Sequence, residues 1–198
     1  MTTGRRAWLD ALIPTLDPAR DLLVAGLGAN ARYLPHLGIR VPHFALCDAM
    51  GAAIPLALGM ALARPERRVV VLEGDGSLLM NLGTLATVGA ARPANLTAVV
   101  FENHRYESSG GQALPDVSVD FVAVARAAGF AFAERLTDAS ALAAALARGQ
   151  GSGGPALLVA VTAFDPNEPI PPYSERPDEI RLNFLRALWE PRAGARGC

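Results

Sequence analysis

Short apolar runs alternate along this chain with longer stretches whose apolar residues recur at helical spacing. The pattern predicts a leading helix over residues 5–13, a strand at 22–25, a short helix at 30–37 and a second strand at 43–46. Residues 51–63 are rich in Ala and Leu and almost free of polar positions. That is the pattern of a helix buried on most sides, against the sheet or against another subunit. A β-branched run at 69–72 reads as the central strand, followed by a helix over 78–90 and a strand at 97–101. Further on, the pattern predicts a helix at 121–128, a short strand at 129–132, a helix at 139–148 and a last buried strand at 156–161. The Gly-rich stretch 149–154 reads as a flexible turn. Residues 165–177 are Pro-rich and predict an extended arm crossing the surface, before a final helix at 178–189. The last residues, 191–198, are expected to be disordered. No internal repeat is visible. Strands alternating with helices predict one α/β domain over 1–190: a single doubly wound parallel sheet with helices on both faces.

Composition supports that outline and removes several function classes. A chain of 198 residues fits one sizeable domain, and 51% hydrophobic residues can bury a sheet on both faces. The net charge of −1, with both signs interspersed, predicts no nucleic-acid partner. All 18 basic residues are arginine. A lysine Schiff base and a Walker-type phosphate-binding lysine are therefore excluded. Cys47 and Cys198 are too far apart to suggest a metal cluster or a disulfide framework. Arg5, Arg6 and Asp10 are not followed by a sustained apolar stretch, so no signal peptide is expected. No run reaches membrane-spanning length. The expectation is a cytoplasmic protein with no membrane partner.

Candidate chemistry sits at two strand ends. Gly74-Asp75-Gly76-Ser77 closes the run at 69–72, and Asn103 closes the next one. Two neighbouring strands, each delivering one hard oxygen ligand at its C-terminal end, suit a small divalent cation. Magnesium takes one or two side chains from a protein and completes its octahedron with phosphate oxygens and water. The loop at Gly74 also opens a helix, whose free N–H groups suit an anion such as a diphosphate. Ligands at the carboxyl ends of parallel strands obey the siting rule for open α/β sheets. A dinucleotide fingerprint is not present after the first strand. Gly26-Leu27-Gly28 is followed by Ala31 where the third glycine belongs.

Gly-Asp-Gly, a spacer of this size and then Asn resembles the signature of the thiamine diphosphate (ThDP) enzymes. The resemblance implies that Asp75, the Asn103 side chain and the Arg105 carbonyl ligate Mg²⁺, with Gly74, Gly76 and Ser77 against the diphosphate. Tyr106 joins that cofactor-binding set. Asp48-Ala49-Met50-Gly51 stands where these enzymes carry a Gly-Ser-Met-Gly-like turn. Met50 would then press between the two cofactor rings and enforce the bent shape that activates the thiazolium carbon. The Asp48 carbonyl and the Met50 N–H would bond the pyrimidine. Asp48 and Ala49 depart from the usual Gly and Ser. Met80-Asn81-Leu82-Gly83-Thr84-Leu85 and Asn103-His104-Arg105-Tyr106-Glu107-Ser108-Ser109-Gly110-Gly111-Gln112 narrow the likeness to sulfopyruvate and phosphonopyruvate decarboxylases. Among these, the β subunit of the split sulfopyruvate enzyme is the most similar. Ala31-Arg32-Tyr33-Leu34 is similar to that family's Ser-Arg-Glu-Leu at Arg32 and Leu34.

ThDP enzymes also need a glutamate against the pyrimidine, carried by a second, pyrimidine-binding domain. Neither Glu66, Glu73 nor the loop glutamates of this sequence fit that role. The resemblance therefore implies a separate α subunit supplying the glutamate, with the cofactor at the interface. Helix 51–63 and the Pro-rich arm are the candidate contact surfaces. The implied reaction is decarboxylation of a small 2-oxo acid to CO₂ and an aldehyde, with the cofactor as electron sink. A phosphonate or sulfonate on the substrate would be held by Arg32, or else by Arg105, because a planar guanidinium grips oxyanions in pairs. His104 is a candidate proton relay near neutral pH; His36 and His43 read as structural. Two alternatives remain open: a ThDP-dependent carboligase subunit of the acyloin or acetolactate type, and a non-catalytic regulatory subunit that keeps the fold. A ferredoxin-linked oxidoreductase subunit fits less well, for lack of a cysteine cluster.

Overall fold

A computed structural model describes residues 3–115 and 119–189 of the chain. The expected disorder of 191–198 lies outside the described residues. Six parallel strands form one sheet: β1 (Asp21–Ala25), β2 (His43–Ala45), β3 (Arg68–Gly74), β4 (Leu96–Glu102), β7 (Phe132–Leu136) and β8 (Ala156–Val161), in the order β2-β1-β3-β4-β8-β7. A small antiparallel ribbon, β5 (Arg105–Tyr106) with β6 (Gln112–Ala113), stands apart from it. The helices are α1 (Arg5–Leu12), α2 (Ala29–Tyr33), α3 (Ala53–Ala63), α4 (Asp75–Met80), α5 (Thr84–Ala91), α6 (Phe121–Ala127), α7 (Leu142–Gln150) and α8 (Pro177–Trp189).

Successive residues of a strand point to opposite faces, and this sheet is covered on both. Leu22, Val24, Val69, Val71, Ala98, Val100, Leu157 and Val159 pack beneath α3, α5 and α6. Leu23, Ala25, Val70, Leu72, Val99, Phe101, Leu158 and Ala160 pack beneath α1, α2 and α7. Central strands buried on both faces are dominated by apolar residues. Hence residues 22–25 of β1 and 98–101 of β4 read as unbroken hydrophobic runs, with buried Asp21, Thr97 and Glu102 towards the strand ends. The doubly wound parallel fold expected from the sequence is the one observed. After β1 the chain runs outward to β2, then returns to place β3 on the other side of β1. The switch point lies between β1 and β3, where open α/β sheets hold their ligands.

Two expectations are corrected. The helix expected at 78–90 is two helices, α4 and α5, broken at Asn81. That residue leaves helical geometry (φ −141°, ψ 46°) and donates its Nδ2 to the Gly51 carbonyl at 2.9 Å. A side-chain amide bonded to backbone competes with the helical pattern. The short strand expected at 129–132 lies at Phe132–Leu136 instead. Gly129 (φ 96°) ends α6, and β7 is an edge strand carrying Glu134 and Arg135, which hides it from a search for apolar runs. The helix expected at 51–63 is α3 (Ala53–Ala63), covered by this chain on its sheet side. Ala53, Ile54, Ala57, Leu58 and Ala61 face the sheet, while Leu62 is 56% exposed and Gly59 and Ala63 are open.

The segment 165–176 has no regular secondary structure and docks along α2 and the β2 edge. Its Ile170 and Pro171 carbonyls accept from the Arg32 guanidinium, and Glu168 accepts from the Tyr33 hydroxyl at 2.6 Å. Burial, reinforced by Glu168, pushes the Tyr33 hydroxyl up to about 12. The segment hands over to α8, whose Phe184 meets Phe44 edge-on, ring centroids 5.6 Å apart.

Candidate functional site

Registry brings the two motif strands together. β3 and β4 pair from Val69↔Leu96 to Gly74↔Phe101, so the residues just beyond, Asp75 and Asn103, meet at the sheet's C-terminal edge. Asp75 is 1% exposed. One of its oxygens, Oδ1, accepts from the Gly76 N–H (2.8 Å), and Oδ2 accepts from the N–H groups of Asn103 (3.0 Å) and His104 (2.6 Å). His104 can point its amide back at Asp75 because it adopts the left-handed region at φ 58°. A non-glycine residue there is a strained choice of the kind found at functional sites. Burial pushes the Asp75 carboxyl above its usual range, opposed by the amides of His104 and Gly76. A desolvated carboxylate held only by backbone dipoles is poised for a cation. Asn103 accepts through Oδ1 from the Arg105 N–H (3.0 Å) and donates through Nδ2 to Glu107 (3.2 Å).

A narrow cleft of about 40 Å³ opens over this pair, lined by Leu27–Asn30, Met50, Gly74–Ser77, Phe101, Asn103 and Arg105–Ser108, together with Arg5. Met50, Asp75, Gly76, Ser77, Asn103, Arg105 and Tyr106 are thus gathered in one place. The Tyr106 ring closes over Gly76, where an added Cβ would lie 2.8 Å from its Cδ1, so only glycine fits. The Met50 turn is braced from below. The Gly51 N–H donates to the Ser77 Oγ at 2.7 Å, its carbonyl accepts from Asn81, and Ala49 is held at φ 59°. Glu73, buried behind the cleft, is pushed up by burial, against the Ser77 hydroxyl and the Gly74 and Ala53 amides.

Other predicted site residues lie elsewhere. Asp48 is exposed and does not line this cleft. Arg32 borders an adjoining cavity of about 210 Å³, shared with Gly28, Cys47, Ser108 and Tyr173. There its guanidinium lies over the Tyr173 ring, 5.8 Å from the centroid, and is taken up by the arm's carbonyls. The Tyr173 hydroxyl in turn accepts from the Gly28 N–H at 3.0 Å. The Arg105 side chain turns away over Phe164. His104 lines an open cavity of about 1050 Å³ with Phe121 and Arg135, apart from the Met50 cleft. Sequence reasoning passed over Arg5 and Glu107, which pair at 2.5 Å inside the cleft. Arg5 comes from a helix remote in sequence, and no local motif marks it.

The donors not already paired with a cation are one carboxylate (Asp75), one carboxamide and nearby carbonyls; the cleft's second carboxylate, Glu107, is paired with Arg5. Among the described residues, no three His, Cys, Asp or Glu side chains cluster as a metal cage. A single carboxylate suits Mg²⁺ sharing its shell with phosphate oxygens and water, and does not suit zinc or iron. No helix among the described residues is long and apolar enough to cross a membrane.

Fold and site together define a doubly wound domain with a polar cleft at its switch point. The family described as "Thiamine pyrophosphate enzyme, C-terminal TPP binding domain" matches residues 29–160, and the chain belongs to that family. Its similarity extends to a phosphonopyruvate decarboxylase of Streptomyces viridochromogenes, 37% identical over 96% of this chain and 47% of that protein. It also extends to sulfopyruvate decarboxylase β subunits. That of Methanothermobacter thermautotrophicus is 42% identical over 62% of this chain and 68% of the subunit. That of Methanococcus maripaludis is 30% identical over 85% of this chain and 89% of the subunit. The chain spans about half the length of the Streptomyces relative. Among solved structures, a thiamin diphosphate-dependent enzyme of Mycobacterium smegmatis superposes with a TM-score of 0.70, covering 82% of this chain and 32% of that one at 22% identity. That likeness shows the shared fold.

Proposed function

We propose that this chain is the diphosphate-binding subunit of a ThDP- and Mg²⁺-dependent decarboxylase, acting on a phosphonopyruvate- or sulfopyruvate-like 2-oxo acid. The observation that carries the proposal is the convergence of Asp75, Asn103 and the Met50 turn on one cleft in a chain of this family. Bound ThDP supplies the electron sink that lets the carbon–carbon bond beside a ketone break. Asp75, Asn103 and the Arg105 carbonyl hold the Mg²⁺, while Gly74, Gly76, Ser77 and Tyr106 face the diphosphate. Met50 props the cofactor from below, and the Asp48 and Met50 backbones bond its pyrimidine. Arg32, bordering the adjoining cavity, takes the phosphonate or sulfonate once the arm carbonyls release it. The His104 ring, on the open side, remains the candidate to pass protons. The pyrimidine-binding domain and its glutamate come from a separate α subunit. Two features support that division: the relatives named as β subunits, of which this chain covers 68% and 89%, and the open outer side of α3.

The test is CO₂ release from phosphonopyruvate and from sulfopyruvate, by the chain alone and co-expressed with a partner that carries a pyrimidine-binding domain. Activity is expected only for the pair. Robust turnover by the isolated chain overturns the split site.

A further inference from the structure

Arg5, the first residue of α1, is 4% exposed and lines the same cleft as Asp75, Ser77 and Asn103. Its Nη2 pairs with Glu107 Oε2 at 2.5 Å, and its guanidinium carbon stands 5.8 Å from the Phe101 ring centroid. Nε and Nη1 have no partner, although both are buried. An arginine taken out of water with donors unsatisfied is unfavourable unless an acceptor arrives from outside the chain. Asn30, across the cleft, also buries an unpartnered oxygen. Glu107 accepts from Asn103 as well, so Arg5, Glu107 and Asn103 form one network beside Asp75.

We propose that Arg5 is a direct ligand of the cofactor's diphosphate, donating to phosphoryl oxygens through Nε and Nη1 while Nη2 stays on Glu107. The inference rests on the function proposed above and adds a residue to it. A guanidinium offers its donors in a planar fork that matches phosphoryl oxygens. Charge requires the same placement. Asp75 and Glu107 bring two carboxylates to a site meant for an anion, and one Mg²⁺ cannot neutralise them together with a diphosphate. In a chain without lysine, arginine is the side chain that brings a permanent positive charge, and Arg5 is the one buried in this cleft. The alternative source of a phosphoryl-like group is the substrate's tail. Arg5 does not border the cavity where Arg32 lies, and it shares its cleft with the Gly-Asp-Gly-Ser loop. The diphosphate is the better match.

The experiment is calorimetric titration of the full chain with magnesium pyrophosphate, and separately with phosphonoacetate as a mimic of the substrate tail. Folding of each variant is checked by circular dichroism. Arg5→Met is expected to weaken pyrophosphate binding about 10- to 100-fold, the usual worth of hydrogen bonds to a charged group, and to leave phosphonoacetate unchanged. Arg5→Lys keeps the charge but loses the fork; it is expected to weaken pyrophosphate binding several-fold and serves if Arg5→Met does not fold. Adding Glu107→Gln to Arg5→Met should restore part of the affinity. Full restoration would mean that Arg5 only neutralises Glu107, and overturns the proposal. Unchanged pyrophosphate affinity in a folded Arg5 variant overturns it too, as does a loss confined to phosphonoacetate; both leave the proposed function standing. A wild-type chain that binds no magnesium pyrophosphate either alone or with its pyrimidine-binding partner removes the diphosphate reading and this inference together.

Discussion

Two aspartates lie buried at opposite ends of neighbouring strands, Asp21 at the start of β1 and Asp75 just past the end of β3, and they are treated differently. Asp21 opens β1 and is 0% exposed. Arg68 grips it with two bonds, Nε to Oδ1 at 2.5 Å and Nη2 to Oδ2 at 2.7 Å, and the Asp17 N–H adds a third. Asp75 follows β3 and is as deeply buried, yet its three partners are all backbone N–H groups. The first carboxylate carries its own cation. The second is held in shape by backbone amides alone. The difference separates a charge neutralised within the chain from one to which the described residues bring no cation.

Removing Asp21 should have the larger effect on folding. Asp21→Ala leaves Arg68, 25% exposed, without its counter-charge. Breaking a buried pair on one side costs about 3 kcal/mol, to be read from urea denaturation. A loss below about 1 kcal/mol would erase the contrast. Asp75→Ala gives up three hydrogen bonds but also relieves a desolvated charge. Those contributions offset, and stability should change by less than about 1 kcal/mol. Mg²⁺-dependent ThDP binding should instead fall at least 100-fold, about 2.7 kcal/mol. Folding damage equal to that of Asp21→Ala would show that Asp75 is structural after all.

The smallest effect is in pH dependence. The folded-state pKa of Asp75 is raised above its unfolded value of 3.8 by burial. In that window the folded state binds more protons than the unfolded one. The contribution to stability is therefore fully present below 3.8 and is lost as pH rises through the folded value. Glu73, raised from 4.5 by the same cause, acts in the same direction. The difference in stability between Asp75→Ala and the parent chain should shift in favour of the variant as pH rises from about 4 to 7. Saturating Mg²⁺ and ThDP should reverse that trend by stabilising the ionised carboxylate. A pH-independent difference would mean that Asp75 is not desolvated as its burial implies.

Much of the fold was legible along the chain, because local patterning encodes it. β1, β3, β4 and β8 announce themselves as apolar runs since both faces of the sheet are covered, and the spacing from Gly76 to Asn103 places Asp75 and Asn103 at adjacent strand tips. β7 was misplaced because its apolar residues are divided between the two faces, Ala133 on one and Leu136 on the other, and Glu134 and Arg135 interrupt the run. The break at Asn81 was not legible, because its cause is the carbonyl of Gly51 in another loop. By itself the sequence determined the alternation of elements, the two motif loops and the kind of ligand they suit, all of which follow from neighbouring residues and their period. Only the tertiary structure decided which charges meet: Arg68 on Asp21, Arg5 in the cleft, the arm's carbonyls on Arg32, and no cation on Asp75 among the described residues. Such pairings join groups far apart in the chain, and what fixes them is the packing that excludes water around them.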